Sequence, residues 1–256
     1  MTAKVPARTV PAMRDSDIPS TGIERKRSLV AAIIDDVIAA RAEAVGRAAL
    51  DVIDVGAGTG GLAVSIARAG HRVTVVDPSP DALAAARWRA DEAGVALTEV
   101  QGEATDLPTL VGEGTADLVI FHSVLEYVEA PATALAAIAR VLRPGAAVSV
   151  LASNAVAAVL QRALAGKYAE ARAMLPGPGE PAVSSGRITL PELTALLEDA
   201  GLRVGDSRGI RIFSSLLPGA EADPVAAEAL RELEEAAAAY PPLRDIATRL
   251  HVIAYR

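Results

Sequence analysis

Asp51-Val-Ile-Asp54-Val-Gly56-Ala-Gly58-Thr-Gly60-Gly61 is a short apolar run that ends in a glycine cluster and opens directly into a helical pattern, Gly61 to Ala69. An apolar run bounded in this way reads as a buried strand. Glycine there lets the backbone turn tightly and come close to a ligand, and the helix start adds free N–H groups. Outward from it, Arg72 to Val76 is a second strand with Asp77 at its end, and Ser79 to Ala93 is a helix with Pro80 in its first turn. Leu97 to Gln101, Ala116 to Phe121 and Ala147 to Leu151 read as three more strands, with a helix over Thr133 to Leu142. Gly201 to Phe213 and Leu250 to Tyr255 add two strands around a helix at 224–239. This alternation predicts an α/β fold with a mostly parallel, seven-stranded sheet and helices on both faces. Right-handed crossovers then bring the C-terminal ends of the parallel strands to one edge.

The flanks read differently. Residues 1–20 are polar and proline-bearing, a flexible tail before a domain spanning 21–256. From Ile23 to about Ala49 the helical spacing of Leu29, Ile33, Ile34, Val37 and Ile38 predicts a leading helix that packs over the mouth of the domain. Residues 155–187 read as an insert over the active edge: a helix through about Met174, then Pro176-Gly-Pro-Gly179. Pro191 to Ala200 is a further helix with Thr189 as its cap.

Composition removes several function classes. Among 256 residues there is no cysteine, which excludes disulfides, thiolate catalysis and Cys-ligated zinc. Three scattered histidines, His71, His122 and His251, argue against a His-rich metal site, so no metal is expected. A net charge of −7 supplies no global basic field for nucleic acid. No apolar stretch approaches the roughly 20 residues of a membrane span, and Met1 to Ser20 has no signal-peptide core. A cytoplasmic location without membrane partners is the expectation; the oligomeric state is not readable.

A Gly-x-Gly loop alone is shared by several nucleotide-binding folds, so the surrounding residues carry the reading. Asp54 stands two positions before Gly56, where it can fix the loop and a ligand amine, whereas a dinucleotide site places pyrophosphate there. The spacing is Gly-x-Gly-x-Gly rather than Gly-x-Gly-x-x-Gly. Asp77 at the end of the second strand can accept both ribose hydroxyls of an adenosine. Ala57 and Gly58 in the loop and Pro78 after Asp77 complete this candidate cofactor set. A NAD enzyme stands as the disfavoured alternative.

These residues resemble motifs of the class I S-adenosylmethionine (SAM)-dependent methyltransferases, whose fold is Rossmann-like. Asp117-Leu-Val-Ile-Phe-His-Ser-Val-Leu-Glu-Tyr-Val128 is similar to their fourth strand, and Val141-Leu-Arg-Pro-Gly145 to their post-strand turn. Phe121-His-Ser-Val-Leu-Glu126, Ser153-Asn154, Ala165-Gly-Lys-Tyr168, Gly209-Ile-Arg-Ile-Phe213 and His251-Val-Ile-Ala254 further resemble the bacterial tRNA 5-carboxymethoxyuridine methyltransferase family over roughly residues 20–256. The resemblance implies SAM as cofactor, S-adenosyl-L-homocysteine as product and, as acceptor, the carboxylate of a modified wobble uridine. It implies cofactor contacts at Arg25 of Gly22-Ile-Glu-Arg25, at Ala104 and Thr105, and at His122. One stretch departs: that family carries a basic run after the insert helix, whereas here Pro176 to Gly186 has no cation and only Arg187 follows. Phosphate contacts supply much of the affinity for nucleic acid, so a small-molecule acceptor stays open beside tRNA, as does a SAM-binding protein without catalysis.

Other residues have two readings each. His122 ends a buried strand at the active edge and is a cofactor contact or a hydrogen-bonded core histidine; His251 reads as core. Asn154 after the fifth strand, Tyr168 in the insert and Arg211 beside Arg208 are candidates to orient substrate, the arginines as a carboxylate clamp. Glu126 and Tyr127 shape a loop. No general base is evident apart from His122. That favours a carboxylate acceptor, already ionised at neutral pH.

Overall fold

The computed structural model describes residues 28–175, 186–216 and 223–256. Seven strands form one sheet: β1 Asp51–Val55, β2 Arg72–Asp77, β3 Thr98–Gln101, β4 Ala116–His122, β5 Leu142–Ser153, β6 Arg203–Ile210 and β7 Arg249–Tyr255. Their order is β3-β2-β1-β4-β5-β7-β6. Pairings from β3 through β5 are parallel, and β7 runs antiparallel to both β5 and β6. The order reverses between β1 and β4, and a ligand crevice forms at such a switch point, outside the strand C-termini.

Period-2 alternation divides the sheet's side chains between two cores. Val52, Val73, Val75, Leu118, Ile120, Ala147 and Ile253 face one way, packing with α1 (Leu29–Val45), α2 (Gly61–Arg68) and α3 (Pro80–Ala93). Ile53, Val55, Val119, Phe121, Val148 and Val150 face the other way, toward α4 (Leu107–Val111), α5 (Pro131–Val141) and α8 (Leu190–Asp199). Local signals set the helix ends. Ser28 caps α1 by accepting from the Ala31 N–H at 3.2 Å, and Gly46 ends it in the left-handed region. Thr189 and Glu192 form a reciprocal capping box on α8.

Three expectations need correction. Ile34 and Ile38 of α1 join the core on the sheet face of Val52 and Leu118 instead of lying over the mouth; Arg41 near the end of α1 reaches Asp117, where β4 begins. The helix after Asn154 is two helices, α6 (Ala155–Leu164) and α7 (Tyr168–Ala173), broken where Gly166 turns to φ 74°. Strand β5 begins at Leu142, ahead of Arg143-Pro-Gly145, with a register shift against β4 at Ala116/Leu118. Residues 1–20, Arg25 and Pro176–Ser185 lie outside the described residues. The remaining helices are α9 (Pro224–Ala237) and α10 (Pro241–Arg244). No described helix is long and apolar enough to cross a membrane.

Candidate active site

The glycine loop lies at the switch point. Gly56, Gly58 and Gly60 have φ of 68°, 53° and 72°, a region side-chain-bearing residues rarely adopt. Two of them are also sterically required. A Cβ on Gly56 would overlap the Val124 side chain in the loop after β4, and one on Gly60 would lie 2.8 Å from the Ala86 Cβ of α3. A Cβ on Gly58 would meet nothing within 4 Å, so its surroundings are open.

Strand register then builds a polar band across the open edge. Val75, Asp54, Ile120, Ser149 and Ile253 are neighbours in one row across five strands. Two residues further on lie Asp77 on β2, and His122, Leu151, His251 and Arg208 as a row from β4 to β6. Arg249 follows on β7, paired with Ser153 and Ile210. All share the face of Val52 and Leu118. Acids therefore occupy one end of the band, imidazoles the middle and guanidinium groups the other end.

The acidic end is dry. Asp54 is 5 % and Asp77 8 % exposed. Burial, with the charge of Asp77 adding to it, pushes the Asp54 carboxyl up to about 7. Among the described residues no cation pairs with Asp54. Asp77 accepts from the backbone N–H of Ser79 at 2.9 Å and of Gly58 at 3.4 Å, which ties the two loops together. Ala57 is partly buried in the core beside the loop. Pro78 is exposed, and its carbonyl accepts from the Gln101 side chain. After β3, a 3-10 turn of Ala104–Asp106 brings buried Ala104 and half-buried Thr105 to the same edge. An unpaired buried acid, a second carboxylate and an open backbone beside them suit a ligand with a cation and a diol.

In the middle, Ser149 Oγ lies 2.8 Å from His122 Nε2 and 2.7 Å from His251 Nε2. Burial pushes the His122 imidazole down to about 3, with His251 and Arg249 adding to the effect. Burial and Arg208 push His251 down to about 4. Both rings are neutral at physiological pH. His122 is thus hydrogen-bonded like a core histidine while remaining partly exposed at the edge; His251 is buried.

At the basic end, Arg249 Nη1 donates to Ser123 Oγ, and Ser123 itself sits at φ 57° just after β4. Glu126 shapes this loop as expected, its Oε1 accepting from the Ser153 N–H at 2.7 Å.

The substrate candidates separate. Asn154 is 2 % exposed, and its Nδ2 donates to the carbonyls of Asp245 and Ala247, both at 2.8 Å. Its Oδ1 accepts from the Val156 N–H, capping α6. That amide is committed to holding the turn before β7 and the start of α6. Tyr168 is 73 % exposed, so core packing does not explain it. The Arg211 side chain is exposed after β6 at φ 60°, and its carbonyl accepts from Thr248 and Ser215. Sequence reasoning passed over Ser123, Ser149 and Arg249. Ser149 left a signal, a hydroxyl inside an otherwise apolar strand.

Comparison with known proteins agrees with this geometry. A family model described as a methyltransferase domain matches residues 53–150. The tRNA 5-carboxymethoxyuridine methyltransferase of Escherichia coli (strain K12) is 30 % identical over 213 residues, covering 82 % of this chain and 81 % of that protein. The ubiquinone biosynthesis O-methyltransferase of Xanthomonas axonopodis pv. citri (strain 306) is 32 % identical over 177 residues, 68 % of this chain and 70 % of that one. A SAM-dependent methyltransferase structure from Methanosarcina mazei superposes with a TM-score of 0.57 at 16 % identity, covering 82 % of this chain and 93 % of that chain, which speaks to the fold.

Proposed function

Since the chain belongs to the class I SAM-dependent methyltransferases, we propose that it methylates a carboxylate, that of a modified wobble uridine in tRNA, with SAM held at the acidic end of the band. Arg249 carries this reading: it is a guanidinium held by Ser123 on the face that His122 shares, with Arg208 nearby and the acids of β1 and β2 at the far end. A guanidinium fixed this way suits an anionic acceptor.

In this reading Asp77 accepts the ribose hydroxyls, Asp54 faces the amine, and Gly56, Ala57 and Gly58 admit the ligand to the backbone. Pro78, Ala104, Thr105 and His122 line the site, and Arg25 pairs with the methionine carboxylate. Bound SAM supplies a methyl group already activated on a sulfonium. With SAM bound, an acceptor carboxylate held in line with that methyl would take it up as an ester, and the cofactor would leave as a neutral thioether. No proton moves, which accords with neutral imidazoles in the middle of the site. The protein's part is to align the two partners.

A small-molecule acceptor, a carboxylate or a hydroxyl, is the second reading. The net charge of −7 favours it, as does the similarity to a ubiquinone biosynthesis enzyme.

Methyl transfer from labelled SAM, offered total tRNA from cells lacking this gene beside a small-metabolite extract, separates the two. Label is expected in the tRNA. Arg249→Ala should lower kcat/KM for that acceptor about thirtyfold, the scale of one charged hydrogen bond, with SAM affinity unchanged. Label confined to small molecules would discard the tRNA acceptor, and an unaffected Arg249→Ala enzyme would discard the carboxylate anchor. Gly58→Ala tests the cofactor end. It should weaken SAM binding tenfold or more, because the methyl fills open space beside the ligand. Its stability should fall by only about 1 kcal/mol, the cost of a left-handed non-glycine residue, as read by calorimetry and thermal melting.

A further inference from the structure

His122, Ser149 and His251 come from three adjacent strands and meet through one hydroxyl. That hydroxyl has one proton and can also accept. Its only hydrogen-bond partners among the described residues are the two Nε2 atoms. Ser149 is fully buried, and a buried hydroxyl proton left unspent is costly. The hydroxyl therefore donates to one ring, whose Nε2 must be a bare lone pair. It is then left to accept from the other ring, whose Nε2 must carry hydrogen. Both rings being neutral, each has one ring proton, so the ring accepting from Ser149 carries its hydrogen on Nδ1 and the other carries it on Nε2. His122 Nδ1 has no partner among the described residues, and the ring is only partly buried. It is the nitrogen His122 presents to the edge.

We infer that Ser149 and His251 hold the two histidines in opposite tautomers and so decide whether His122 offers the active site a donor or an acceptor. Neither Ser149 nor His251 needs to touch a ligand to do this; they are positioning residues acting through His122. The lock is a property of the protein by itself. Its effect on cofactor binding rests on the proposed reading that His122 lines the SAM site.

Nitrogen-15 NMR of imidazole-labelled protein distinguishes the tautomers directly. In the wild-type protein at pH 7, one of His122 and His251 should be the Nδ1–H form and the other the Nε2–H form. In Ser149→Ala, His122 should become a mixture, and SAM should bind about fivefold more weakly, the size expected when one hydrogen bond is misaligned. Two rings in the same tautomer in the wild-type protein would overturn the lock, with no variant needed. So would opposite tautomers that persist in Ser149→Ala. Unchanged SAM affinity in Ser149→Ala, where His122→Ala weakens binding, would overturn the functional role. No loss of SAM affinity in His122→Ala would instead overturn the placement of His122 in the SAM site and leave the tautomer result standing.

Discussion

Asp77→Ala is expected to weaken SAM binding about two hundredfold, close to 3 kcal/mol, from the loss of two charge-assisted hydrogen bonds to a ribose in a dry site. Asp77 also accepts from the Ser79 and Gly58 N–H groups, so part of the loss comes from a loosened glycine loop. Asp77→Asn keeps an acceptor and the shape, and should lose about tenfold. Binding measured by calorimetry within threefold of wild type for Asp77→Ala would remove the ribose from this end of the site. The same titrations report on Asp54. Its carboxyl, pushed up to about 7 by burial and the neighbouring Asp77 charge, is partly protonated at neutral pH. A ligand cation facing it favours the ionised form, so binding should release a fraction of a proton, and affinity should fall as pH drops through about 7. Asp77→Asn removes the like charge and should move that midpoint to lower pH. Affinity flat from pH 8 to pH 5.5 would separate Asp54 from the ligand.

Asp117→Asn is expected to destabilise the fold by about 3 kcal/mol without touching the active edge. Asp117 is fully buried where β4 begins, at the opposite end of the sheet from the polar band. Its carboxylate accepts from Arg47 at 2.6 Å, Arg143 at 2.8 Å, Arg41 at 3.2 Å and the Asp51 N–H at 3.1 Å. Burial alone would raise its pKa, but the Asp51 N–H, Arg47 and Arg143 outweigh that and hold it below the usual 3.8. The loss lies at the low end of that for a broken buried pair, because Arg47 and Arg143 are 38 % and 29 % exposed and keep some hydration. The pH dependence follows from the lowered pKa. Stability contributed by this carboxylate is present in full well above 3.8 and is lost as pH falls through the lower folded value. The gap between wild type and Asp117→Asn in urea denaturation should be about 3 kcal/mol at pH 7 and narrow below pH 3.8. A gap that is small at pH 7, or that persists unchanged in acid, would show that the arginine cluster contributes little.

Much of the fold, and the gathering of the glycine loop with two acids at the switch point, was legible in the residues. Gly56, Gly58 and Gly60 follow a β-period and precede a helical one, and a turn needing left-handed backbone can hardly use another residue there. Asp54 and Asp77 were legible for the same reason, since each sits at or near the end of a short apolar run whose direction the strand–helix alternation sets. Thr189 announced the start of α8, because capping is a local hydrogen bond, whereas Ser28 and Ser79 were identified as caps only in the structure.

By itself, then, the sequence determined the parallel sheet, the edge at which its strands end, and the glycine and acidic residues gathered there, since these depend on contacts within a few tens of residues. Only the tertiary structure decided what stands opposite them. Ser149 meets His251 across 102 residues, and Ser123 meets Arg249 across 126. Both meetings depend on β7 inserting antiparallel between β5 and β6 in one register. A shift of one residue would turn His251 and Arg249 to the other face. Packing decided the rest: the apolar stripe of α1 found the sheet face rather than the mouth, and the Asn154 amide was committed to a turn more than ninety residues further along the chain.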